Sequence, residues 1–282
     1  MMTDADMSAR DDIAESTASV GGNLAGRVAM QQLLDAQCAV PRRSALARLF
    51  GFSPLSRETH ALYRSVVGEI EVGESLDRLG AEWSVLHSLP VDGDNSDIDH
   101  LVIGPAGVFI IATRTHAGMN VWASQRTFMV AGVRYPHIRS MEYEMGRVER
   151  MLSAATGSAV QVAGILAIVA PKSLVVREKH RDVAVLAAPS VVAWLHRSKP
   201  VLSPAEMSHI STAASLASTW SSTPETAEPQ SIRARFEQLR AEVRSAWRTQ
   251  LAWAIGLSAV GVGGFGALTY AILLSAISTA RF

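Results

Sequence analysis

The sequence predicts an α/β domain over residues 57–220, followed by a C-terminal helix that crosses a membrane. Three observations predict this. Two β-branched apolar runs flank Gly104-Pro105-Ala106-Gly107; Pro105 pre-sets φ for the turn, so the chain reverses there as a β-hairpin. The continuous apolar run Val160–Val169 and a second from Val183 to Ala187 have strand length and suit strands buried on both faces. The stretch from Gln250 to Ala280 carries no charge, and Leu251–Thr279 is longer than the roughly 20 apolar residues that span a bilayer.

The hairpin turn fixes a register. With Pro105-Ala106 at its tip, Ile103 should face Val108, Leu101 Ile110, Asp99 Ala112 and Asp97 Arg114. Strand periodicity then gathers Asp97, Asp99, Ala112 and Arg114 on one face at the end away from the turn. Such a face is either a functional site or a cross-strand ion pair where a buried hairpin emerges into water.

Composition excludes some classes and leaves others open. The 26 basic and 26 acidic residues balance to a formal net charge of zero, so contact with a polyanion would need a local patch. The single cysteine, Cys38, excludes an internal disulfide and any cysteine-based metal cluster. The first thirty residues hold Asp4, Asp6, Asp11 and Asp12 and no apolar core run, unlike a cleaved secretory signal.

In chain order, residues 1–22 are small and polar without periodicity, and disorder is expected; weak helical spacing follows to Pro41, completing an N-terminal region 1–56. Ser56 opens a longer helix to about Leu79, interrupted by Gly68 and Gly73, which suggests close approach of another backbone or of a ligand near Glu74. Trp83–Leu89 alternates as a strand, and a loop leads into the hairpin. Two short strands lie within 118–133, and Pro136 opens a helix whose Ile138, Met141, Met145, Val148 and Leu152 form a core-facing stripe. Ser190–His196 reads as a short helix. Ser203-Pro204-Ala205-Glu206 is a capping box with a first-turn proline, starting a helix toward Trp220.

Beyond it, 221–230 reads as a Ser/Thr/Pro/Glu linker and 231–250 as an amphipathic stem in which Ile232, Phe236, Leu239, Val243 and Ala246 recur at heptad spacing. Two heptads do not establish a coiled coil but permit a short dimerising stem. Arginines 233, 235, 240, 244 and 248 precede the 251–279 span and only Arg281 follows it, which places the globular domain in the cytoplasm beneath a single-pass anchor. Glycines in the span would let a second copy pack closely, as a homodimer.

Gly73-Glu74 on a helix, then Asp97-Ile98-Asp99-His100-Leu101-Val102-Ile103-Gly104-Pro105-Ala106-Gly107-Val108-Phe109-Ile110-Ile111, then Gly118 and Pro136, resembles the nuclease-related domain, or NERD, family over roughly 68–155. The resemblance implies a restriction-endonuclease-like fold, a mixed central sheet flanked by helices, with metal-dependent phosphodiester hydrolysis as its ancestral chemistry. It implies that Glu74 and Asp99 bind Mg²⁺ beside a third acidic ligand, and that a lysine two residues past that ligand orients or deprotonates the water.

The sequence departs from the family pattern at two places. Ala112-Thr113-Arg114 stands where the family shows Glu-x-Lys, and Arg139 where it shows a glutamine-like residue. Ala112 offers no oxygen, and Arg114 keeps a positive charge for phosphate but does not deprotonate. Glu142 or Glu144 could swing in as a replacement ligand.

These residues support two functional expectations. One is a membrane-anchored, nuclease-derived domain that contacts nucleic acid through Arg114, Arg139 and His116, with Asp99 and Arg114 as the remnant catalytic pair, Mg²⁺ binding weak or absent and hydrolysis impaired or lost. The other is a non-catalytic, membrane-tethered scaffold for protein partners.

Overall fold

The computed structural model describes residues 24–91, 97–220 and 229–279, with the side chains of Leu257 and 259–279 outside the description. The disorder expected over 1–22 and most of the 221–230 linker therefore lie outside the described residues. The chain divides into two compact units, Met1–Leu33 with Ala61–Ile232, and Leu34–His60 with Arg233–Phe282.

The first unit holds two sheets. Strands β1 (Ser84–Pro90), β2 (Asp97–Gly104), β3 (Gly107–Thr115), β7 (Val162–Val169) and β9 (Val183–Ala187) form a five-stranded sheet in the order β1-β2-β3-β7-β9. β1, β2 and β3 run antiparallel as hairpin neighbours, whereas β3, β7 and β9 are parallel and need long connections. The sheet is thus mixed, as the resemblance implies. Strands β4 (Asn120–Ala123), β5 (Phe128–Val130), β6 (Val133–Tyr135) and β8 (Ser173–Val176) form a second sheet in the order β6-β5-β4-β8.

Strand alternation gives the five-stranded sheet two apolar faces. Leu101, Ile103, Val108, Ile110, Ala112, Leu166 and Ile168 pack with Ile138, Met141, Met145, Val148 and Leu152 of helix α4 (His137–Thr156), whose stripe is the one its spacing predicts. Gly164 is where α4 presses closest, since a Cβ there would lie 2.5 Å from Met141. On the other face Val102, Phe109, Ile111, Ile165 and Ala167 meet Val72 and Leu76 of helix α3 (Arg57–Leu76) and Val191 and Leu195 of helix α5 (Val191–Arg197). Helix α6 (Pro204–Ser215) begins on the predicted box, Ser203 accepting from the Glu206 amide while Glu206 accepts in return.

The two α3 glycines are explained by close approach. A Cβ on Gly68 would lie 2.5 Å from Thr115 Oγ1, and one on Gly73 2.5 Å from the Ala25 methyl.

In the second unit, α1 (Arg27–Cys38) contributes its last turn and α2 (Ala45–Leu49) starts on Ser44, whose hydroxyl accepts from the Ala47 amide. Helix α7 spans Pro229–Thr279. Phe236, Leu239 and Ala246, expected on a dimerising seam, are buried within the chain itself. Arg43 donates to Glu242 at 3.1 Å, and the Trp253 indole N–H to the Leu49 carbonyl at 2.8 Å. Gly51, at φ +73°, lies so near that a Cβ would sit 2.5 Å from the Ala246 carbonyl oxygen.

The membrane expectation is corrected here. Among the described residues, no helix is long and apolar enough to cross a membrane. The α7 side chains described up to Arg248 include five arginines and two glutamates, and the uncharged residues whose side chains follow, Thr249–Gly256 and Ser258, fall far short of about 20. The rest of the expected 251–279 span lies, by its side chains, outside the described residues. A transmembrane anchor, single-pass membrane placement, a membrane partner and a homodimer through the span are not supported.

Candidate functional site

The site forms where β2 and β3 part. Their ladder follows the predicted register from Gly104–Gly107 to His100–Ile111, with Ile103 on Val108 and Leu101 on Ile110. Past that point β3 continues against β7 as far as Thr115–Val169, while Asp97 pairs with Pro90 of β1. The next link between β2 and β3 is made by a side chain: Asp99 Oδ2 accepts from the Thr113 amide at 2.7 Å and from Arg114 Nη1 at 3.4 Å. Arg114 Nη1 also donates to the Thr113 carbonyl at 2.8 Å, which holds the guanidinium against the strand.

Four carboxyl groups share this end of the sheet. Glu69 reaches in from α3, Asp97 and Asp99 from β2, and Glu144 from α4. Burial pushes Glu69 well above the usual carboxylate range, and Asp99 and Asp97 push it further, against the pull of Arg114. Asp97 is pushed up to about 7, chiefly by burial and then by Asp99. Burial also raises Asp99, opposed by Arg114 and the Thr113 amide, and raises Glu144, opposed mainly by Arg114. Among the described residues, Glu69 Oε1 and Asp97 Oδ2 are buried without a hydrogen-bond partner. Arg114, with Arg27 beside Asp97 and Arg147 beside Glu144, offsets only part of what burial and mutual repulsion do to these carboxyls.

Across β2 from Asp99 in the β1 register stands Ser88, held at φ +46° in the left-handed region that L side chains rarely adopt. Its hydroxyl accepts from the Arg27 amide at 3.0 Å. Beside Arg114, His116 packs among Phe128, Tyr135 and His137, with the Tyr135 and His137 rings stacked at 5.2 Å. Burial and then Arg114 lower both histidines, His137 to about 4, so both are neutral near pH 7.

The structure brings Asp99 and Arg114 together and places His116 beside them. Arg139 is exposed at the start of α4. Glu74 is exposed on α3, away from the buried stripe, and the helix carboxylate inside the site is Glu69, five residues earlier. A signal for this was present: Val66, Glu69, Val72 and Leu76 recur at helical spacing, and Gly68-Glu69 is the same dipeptide as Gly73-Glu74. Of the two replacement candidates, Glu142 pairs with His180 at 3.0 Å, whereas Glu144 faces Arg114 and Asp99.

The ligand set that the resemblance implies, Glu74 and Asp99 with a third acidic residue, is not assembled among the described residues. Ala112, which would carry the third oxygen, is a buried methyl in the apolar core, and Asp99 is occupied by Thr113 and Arg114. Among the described residues no group of three or more His, Cys, Asp or Glu is arranged to hold a metal ion.

No curated protein and no solved structure matches the chain. The family model of the nuclease-related domain, NERD, matches residues 64–169, the stretch that holds strands β1 to β7.

Proposed function

We propose that the nuclease-related domain contacts nucleic acid at the end of the five-stranded sheet, through Arg114, Arg139 and the neighbourhood of His116, and that it has lost efficient metal-dependent hydrolysis. The observation that carries this reading is the Arg114–Asp99 pair, because it places a permanent cation where a nuclease would need an ionised, unpaired ligand. Arg114 is about a quarter exposed, within reach of a backbone phosphate. Ala112 supplies no oxygen to a metal, and a guanidinium cannot take a proton from water.

The full chain, incubated with plasmid and short labelled strands, should bind in a salt-dependent manner without metal-dependent cutting. Arg114→Ala should weaken that binding about tenfold. Unchanged binding in Arg114→Ala, or no salt-dependent binding at all, would contradict the proposed contact. Restoring Ala112→Glu together with Arg114→Lys should bring back Mg²⁺- or Mn²⁺-dependent cleavage if those two positions are the defect.

A further inference from the structure

The four-stranded sheet has an outer face that the proposed site does not use. Pairing aligns Val175, Trp122, Met129 and Arg134 in one row across β8, β4, β5 and β6. Their neighbours along the strands, Val121, Ala123, Phe128 and Val130, are buried in the core, so alternation turns the row outward. Val175 and Arg134 are exposed and Trp122 and Met129 half-buried. Arg177, whose amide donates to the Ala123 carbonyl at 3.0 Å, extends β8 on the same side, since it lies two residues past Val175.

The strands of this sheet and the segments that flank them are basic. Residues 116–141 and 170–181, which contain all four strands, hold seven lysines and arginines against one acidic residue, Glu178; this is a formal net of +6 in a chain of formal net charge 0. The strands themselves contain no acidic residue. An indole at the centre of a flat face, a methionine beside it and guanidinium groups at the edge and end form a platform for stacked bases with phosphates on the rim. At ordinary strand spacing the row is about 14 Å across, room for a few nucleotides rather than a long track. A duplex would leave the indole without a partner, because its bases are already stacked.

We infer that the outer face of the β6-β5-β4-β8 sheet is a binding platform for single-stranded nucleic acid, with Trp122 stacking on a base and Arg134 and Arg177 holding phosphates. This rests on the nucleic-acid contact proposed above and names the strand class and a second surface for it.

Fluorescence anisotropy of the full chain with labelled dT₂₀, a 20-base-pair duplex and poly-glutamate, across a salt series, tests the platform. Trp122→Ala should weaken dT₂₀ binding about tenfold and Trp122→Phe should restore most of it, separating stacking from a folding defect. Arg134→Ala with Arg177→Ala should lower the slope of log affinity against log salt by about 1.4, at roughly 0.7 per phosphate contact. Wild-type binding of dT₂₀ that these variants leave unchanged would overturn the platform while leaving the Arg114 contact standing. Poly-glutamate bound as well as dT₂₀, or a duplex bound more tightly, would overturn the choice of single strands. Absence of all nucleic-acid binding would overturn the platform and the reading beneath it together.

Discussion

Two buried polar groups lie side by side on β2 and resolve burial in opposite ways. His100 and His87 form a closed chain: His87 Nε2 lies 3.0 Å from Asp77 Oδ1, the two Nδ1 atoms 2.7 Å apart, and His100 Nε2 3.5 Å from Thr113 Oγ1. One direction of donation satisfies every atom, from Thr113 O–H to His100, from His100 Nδ1–H to His87, and from His87 Nε2–H to Asp77. Burial, and then His87, hold His100 well below the ordinary imidazole range, so it stays neutral. At the neighbouring carboxyls, Asp97 Oδ2 and Glu69 Oε1 are buried without a hydrogen-bond partner among the described residues, and burial raises Asp97, Asp99 and Glu69. A satisfied network reads as structure, whereas an unsatisfied one marks a candidate site.

Breaking the histidine pair should have the largest effect. His100→Ala removes a fully buried ring and strands His87 Nδ1, so chemical denaturation should show a loss of about 3 kcal/mol or more. Equal stability would mean the pair is not part of the folded core.

The carboxyl end should respond in the opposite sense. Asp97 has a folded pKa raised to about 7 from an ordinary value near 4, so the native state binds more protons than the unfolded state between those limits. Stability should therefore fall as pH rises from about 4 to about 7, by on the order of a few kcal/mol from this group, and level off above. Asp97→Asn should flatten that slope and stabilise the protein at pH 8. A slope unchanged by the substitution would assign the titration to another carboxyl. Glu69→Gln should likewise be neutral or stabilising at pH 8, because it removes a buried carboxyl whose ionised form burial disfavours.

The smallest effect belongs to Glu74. Exposed on α3, Glu74→Ala should change stability by less than about 0.5 kcal/mol and leave nucleic-acid binding unaltered. A larger change would return Glu74 to the site and weaken the contrast between the two networks.

The hairpin was legible because a Pro-Ala turn between β-branched runs leaves few registers, and the structure follows the expected one from Gly104–Gly107 to His100–Ile111. The α4 stripe was legible from its spacing. The helix carboxylate was harder: Gly-Glu occurs twice on α3, and only the inward position of Glu69 between Val66 and Val72 separates the two. Of the second sheet only two short strands within 118–133 were read, and β8 was missed, since its parallel pairing with β4 joins residues more than fifty apart and leaves no local pattern. The tail was read from hydropathy alone. The stem that precedes it turned out to bury its apolar seam within its own chain, with Arg43 and Leu49 supplying contacts that heptad spacing cannot reveal.

The central claim is contact with nucleic acid without metal-dependent cleavage, and one measurement bears on it most directly. The full chain and its Asp99→Ala variant are incubated with labelled single strands and duplexes in Mg²⁺ or Mn²⁺, with binding and product length read from the same samples. The expected result is salt-sensitive binding and intact strands for both proteins. Metal-dependent cleavage by the wild type that Asp99→Ala abolishes would contradict it, and would make the Arg114–Asp99 pair part of a working nuclease.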